Sequence, residues 1–194
     1  MAKVIENATY DPADSGFKKI PEGSYPAHVT SVNATKFEDT GKSVYNLTFT
    51  VAQEVENMKV PNLISDGNGG FKVNGEIDGS FIKGKEFKFD RAMWLNPKPE
   101  EGKGWQNKNY VEWSRNMGVE FPETEDGKIT LVEIEESDLL GKPCYVKVAE
   151  KAWEYNGKSG VALKVILVEK WEDGKALTPE EVSLKNNKED DLPF

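Results

Sequence analysis

Alternation of apolar and polar residues dominates this chain. In "SYPAHVTSVNATKF" (24–37), Tyr25, Ala27 and Val29 repeat at period two, which predicts a half-buried strand. After the turn-like "EDTGKS" comes "VYNLTFTVAQEV", with Tyr45, Leu47, Phe49 and Val51 on one face and Asn46, Thr48 and Thr50 on the other. A third strand is predicted over 83–95, "KGKEFKFDRAMWL", with Phe87 and Phe89 inward. Two further strands, 142–155 and 160–171, flank a turn around Asn156-Gly157. The period changes to that of a helix only in "NYVEWSRNMG" (109–118). There Asn109 can cap, Glu112 follows in capping-box spacing and Gly118 ends the run. Tyr110, Trp113 and Met117 share one face of that helix and are expected to pack.

The remaining segments carry turn and loop signals. Residues 1–23 read as an extended N-terminal arm, punctuated by Pro12, Gly16, Pro21 and Gly23. Residues 56–80 are rich in Gly, Asn and Asp and read as a long loop or hairpin insertion, with a turn at Asn74-Gly75. From Glu172 to Phe194 periodicity fades, "TPEEV" aside, which predicts a flexible acidic C-terminal tail. Three strands, a helix, two strands and a tail predict a mainly β protein. The expected architecture is a five-stranded Greek-key OB-fold barrel over 24–171, with one helix between strands 3 and 4. A β-sandwich is the alternative. An OB barrel binds oligonucleotides or oligosaccharides on its strand 2–3 face and in the loops joining strands 1–2 and 4–5.

Composition narrows the class. The 194 residues fit one domain with appendages or two small ones, and 37% hydrophobic content supplies one core. No apolar run approaches a membrane span, and "MAKVIENATYDPADSG" has no secretory h-region, so a cytoplasmic protein is expected. Cys144 is the single cysteine, which excludes an intramolecular disulfide. The net charge of −9 argues at first against a polyanionic partner. The charge is unevenly spread, however. Residues 120–138 carry eight acids against Lys128, and 172–194 carry seven against three lysines, whereas 81–118 and 142–170 are each net +3. A basic face beside acidic segments is compatible with that distribution.

The last pair of strands carries the strongest candidate chemistry. Cys144, Val146 and Val148 alternate with Tyr145, Lys147, Lys151, Trp153 and Tyr155 on the opposite face. A four-residue turn, Asn156 to Ser159, would set Trp153 opposite Ala162, Lys151 opposite Lys164 and Lys147 opposite Val168, and would bury Leu163 and Leu167. Directly opposed lysines cost up to about 1 kcal/mol. A phosphate backbone crossing the sheet would relieve that cost, and the aromatic rings could stack bases. A solvated sheet face is the plain alternative. A second basic–aromatic group contains Lys88, Arg91, Trp94 and Trp105. Lys88 and Arg91 share a groove only if a bulge intervenes, while Trp94 and Trp105 flank a Pro/Gly-rich loop with no obvious core to enter.

No catalytic constellation emerges, so an enzyme is not expected, nor is a cofactor or metal. His28, the one histidine, lies mid-strand with no evident relay. The best enzymatic alternative is a metal-dependent nuclease using Asp78, Glu86 and Lys88.

The chain ends Asp190, Asp191, Leu192, Pro193, Phe194. This "DDLPF" resembles the acidic tip of bacterial and phage single-stranded-DNA-binding proteins, whose OB domain has a similar strand–helix–strand order. The resemblance implies sequence-independent single-stranded DNA binding in replication, recombination and repair, by a phage-encoded monomer or homodimer in the bacterial host cytoplasm. It also implies that the tip recruits partner proteins. Phe194 would fill an apolar pocket, its carboxylate would meet a basic residue, and Asp190 and Asp191 would meet a basic rim. A recruitment protein that does not bind DNA is the other alternative.

Overall fold

A computed structural model describes residues 18–186. In chain order the elements are β1 (Gly23–Phe37), β2 (Lys42–Val51), β3 (Lys59–Ser65), β4 (Phe71–Asp78), β5 (Glu86–Leu95), α1 (Lys108–Asn116), α2 (Glu136–Leu139), β6 (Pro143–Tyr155), β7 (Lys158–Glu169) and α3 (Pro179–Asn186). The protein is mainly β. Five strands form one antiparallel sheet in the order β5-β2-β1-β6-β7, and β3 with β4 forms a separate two-stranded sheet. The edge strands β5 and β7 touch, and α1 packs against both, but no ladder joins them. Asn116 Nδ2 on α1 donates to Val168 O at 2.8 Å and ties the helix to β7. No helix among the described residues is long and apolar enough to cross a membrane.

The predicted alternation sorts the sheet into two faces. Tyr25, Val29, Leu47, Phe49, Met93 and Val146 lie fully inside, covered by Tyr110 and Trp113 of α1 and by Met117 at its C-cap. Phe89 packs on Trp113 and Tyr45 on Tyr110, each with ring centroids 5.5 Å apart. Buried hydroxyls need partners. Tyr45 donates to Ile134 O at 2.8 Å, while Tyr110 donates to Val132 O at 2.7 Å and accepts from Ile134 N at 3.0 Å. These bonds pin the acidic 120–138 segment to the core edge, leaving its carboxylates outside. Burial raises the pKa of both phenols.

Four local expectations are corrected. The β3–β4 turn lies at 66–70, where Asp66 Oδ1 accepts Asn68 N and Gly70 N at 2.8 and 2.9 Å. Asn74-Gly75 is instead a bulge within β4. Helix α1 starts at Lys108 with Asn107 at its N-cap, so Asn109 and Glu112 form no capping box; Asn107 spends its side chain on Asn96. The β6–β7 turn is two residues long, Asn156-Gly157, with φ of 50° and 72° at the two positions. Left-handed backbone at both positions is what Asn-Gly supplies in a tight hairpin. Finally, residues 172–186 are not a flexible tail. Leu177 N donates to Gly141 O at 2.9 Å, Val182 is buried, and Asn186 Nδ2 donates to Thr30 O at 3.1 Å.

Candidate nucleic-acid interface

The β6–β7 hairpin extends past the sheet, and every β6 residue from Glu150 to Tyr155 is exposed. Its register differs by two residues from the expected one. Trp153 faces Gly160, Lys151 faces Ala162 and Ala149 faces Lys164, so Lys151 and Lys164 are diagonal neighbours and the opposed-lysine repulsion does not arise. The shorter turn is the cause, and an even shift keeps every side chain on its expected face. The same shift sets Val165 opposite Val148, and nearer the sheet an extra residue at Ile166 puts Lys147 opposite Leu167 and Val168 opposite Val146, so Val165 and Val168 are buried instead of Leu163 and Leu167.

The outcome is a two-sided hairpin. One face carries Lys147, Lys151, Lys158, Lys164, Trp153 and Tyr155, and the other carries Glu150 and Glu154. Glu150 pairs with Lys19 of the described part of the N-terminal arm. None of the four lysines has a carboxylate within 4.0 Å among the described residues. Tyr155 is 72% exposed and Trp153 39%. Trp153 lies across Gly160, where an added Cβ would come within 2.8 Å of the indole, so the glycine is the seat of the ring. Lys158 escaped the sequence reading because the longer turn placed it outside the strand pair.

The second group converges at the far end of the outer face. Asn46 on β2 faces three residues, Asp90 to Ala92, and this bulge turns Arg91 (φ 55°) toward the side of Lys88 and Trp94. The Arg91 backbone N–H donates to Asn46 Oδ1 at 2.7 Å, and its guanidinium lies 5.9 Å from the Trp94 ring. Phe37, missed in the sequence, stacks on Trp94 at 6.4 Å with planes 6° apart. An aromatic residue abutting a predicted turn was the available signal. Trp94 and Trp105 line one cavity of about 310 Å³ with Lys42, Asn96 and Gln106, and Trp105 is 70% exposed.

Between the two groups, residues 171–186 cross the outer face as a strap. Trp171 packs against His28 (5.5 Å) and Tyr145 (5.7 Å). His28 Nε2 donates to Lys175 O at 2.9 Å, while its buried Nδ1 has no hydrogen-bond partner among the described residues. Burial lowers the His28 pKa, Lys185 reinforces that shift, and the Lys175 carbonyl, Glu54 and Glu181 oppose it.

The residues of the nuclease alternative lie at the end of β4 (Asp78) and on β5 (Glu86 and Lys88). Asp78 Oδ1 accepts Ser80 N at 3.1 Å, capping a short turn, and Glu86 lies 3.8 Å from Lys88. Among the described residues no group of three His, Cys, Asp or Glu side chains could hold a metal ion. Cys144 is buried, and burial raises its thiol pKa to about 12. The tip residues Asp190, Asp191, Leu192, Pro193 and Phe194 lie outside the described residues. No protein-family model and no curated protein matches the chain.

Proposed function

We propose that this protein binds single-stranded DNA without sequence preference on the outer face of an OB-type barrel, and recruits partner proteins through its C-terminal tip. The carrying observation is the basic–aromatic face of the β6–β7 hairpin, with four lysines that have no carboxylate partner among the described residues beside two exposed rings. Unpaired lysines attract phosphates, and exposed rings stack on any base. Supporting the barrel reading, β1, β2 and β5 form a meander, and α1 leads from β5 to β6 on the other side of β1. In that reading the strand 4–5 loop is the β6–β7 hairpin, and the strand 1–2 loop abuts Phe37 and Lys42, the two positions where such folds hold oligonucleotides.

Titrating intrinsic tryptophan fluorescence with oligo-dT tests the proposal. Quenching is expected, with affinity falling steeply as salt rises, and absence of binding at low salt refutes it. Removal of 187–194 is expected to leave or tighten DNA binding while abolishing capture of partner proteins. Weakened DNA binding instead would reassign the tip.

A further inference from the structure

The loop between β5 and α1 is held by two amides. Asn96 N donates to Asn107 Oδ1 at 2.7 Å, and Asn107 Nδ2 donates back to Asn96 O at 3.0 Å. Both residues are buried, so the pair acts as a clamp. Trp94 stands just before the clamp, and Trp105 with Gln106 stands just inside it. The cavity they share with Lys42 is at the small end of the roughly 300–1,000 Å³ range of ligand sites.

The hydrogen bonds also orient the amides. Lys98 N donates to the Asn96 side chain at 3.3 Å, so the receiving atom is Oδ1. Asn96 Nδ2 must then donate at 2.8 Å to Gln106, which makes the acceptor Oε1. Both side-chain amide oxygens therefore already accept, while the Gln106 NH₂ group has no partner among the described residues. The Lys42 ammonium has no carboxylate partner there either. The side chains bordering the cavity offer aromatic surface and unspent donors.

We propose that this cavity is a nucleobase slot that favours bases carrying carbonyl groups, thymine or uracil first, over adenine. The inference rests on the single-stranded DNA reading and adds a selecting side chain to it. Thymine presents carbonyl oxygens to Gln106 and Lys42, whereas adenine has no carbonyl and sets an exocyclic amine, itself a donor, beside its ring-nitrogen acceptors, so one of the two donors would face a donor. A site built to donate discriminates against a group that cannot accept, because its own N–H groups are left unpaired. The discrimination is confined to one base of the bound strand, so binding elsewhere stays indifferent to sequence.

The test titrates the full chain with dT and dA oligonucleotides of equal length at one salt concentration, comparing wild type with Gln106→Leu and Lys42→Met. Oligo-dA self-stacking is a property of the oligonucleotide and cancels when dT/dA affinity ratios are compared between proteins. The ratio is expected to fall about threefold to tenfold in Gln106→Leu, one hydrogen bond's worth, and less in Lys42→Met. Gln106→Leu keeps both Asn96–Asn107 bonds but removes the acceptor of Asn96 Nδ2, so Gln106→Glu, which keeps that acceptor and loses the donor, is compared beside it, and circular dichroism checks every fold. An unchanged ratio in every folded variant overturns the slot. A wild-type protein that binds neither oligonucleotide overturns the single-stranded DNA reading, a separate result.

Discussion

The β6–β7 hairpin and the Trp94–Trp105 cavity both set aromatic rings beside lysines, but they are built by opposite means. The hairpin stands on two strands with its tip exposed, and its lysines have no carboxylate partner among the described residues. The cavity is braced by the Asn96–Asn107 clamp and fixes its groups in place. A loosely held row of charges suits a phosphate backbone that can take many paths, and its contribution weakens with salt. A braced pocket suits a planar base, and stacking there is largely indifferent to salt. In the proposed function the hairpin would supply affinity and the cavity selectivity.

Breaking the hairpin is expected to have the largest effect. Lys151→Glu with Lys164→Glu should weaken oligo-dT binding about a hundredfold or more at low salt. The log–log salt slope should become shallower by about 1.4, for two phosphate contacts at roughly 0.7 each. An unchanged slope would show that the strand's backbone runs elsewhere. Next in size, Trp105→Ala should cost about 1–3 kcal/mol of binding with the salt slope unchanged, which separates stacking from charge. Gly160→Val should displace the Trp153 indole, reduce fluorescence quenching and lower stability by about 1 kcal/mol, measured by denaturant unfolding.

The smallest effect concerns the strap that lies between the two surfaces. The His28 pKa is lower in the folded protein than its unfolded value of about 6.5, so the unfolded chain binds more protons below that pH. Stability should therefore fall as pH drops through about 6.5, and His28→Gln should flatten this part of the profile in thermal melts. A wild-type profile retained in the variant would remove His28 as the cause.

Much of the fold was legible because period-two alternation sets the faces of long strands whatever happens at their ends. Phe87, Cys144 and Val146 point inward as the pattern requires, and Trp113 and Met117 pack as the helical period requires. The errors came from single residues. One choice of turn length moved Lys164 from Lys151 to Ala149 and set Val165 rather than Leu167 opposite Val148, and the extra residue at Ile166 then brought Val168 opposite Val146. Arg91 joined its predicted group only through a left-handed residue in mid-strand, a conformation that an arginine does not advertise. The strap was invisible because isolated contacts hold it: one histidine, one tryptophan and a few backbone bonds. The cavity was half visible, since two tryptophans beside a Pro/Gly loop could be noticed while the amide pair behind them had no sequence signature.

The strap also bears on the order of folding. His28 bonds to a carbonyl 147 residues later, and Thr30 to a side chain 156 residues later. Such contacts carry the greatest loop-closure penalty among the hydrogen bonds of the described residues, so they are expected to form late. During synthesis β1 and β2 can pair early, but the outer surface over His28 is finished only when nearly the whole polypeptide is available. A chain interrupted before Trp171 would leave His28 and Tyr145 without the indole that covers them on the sheet.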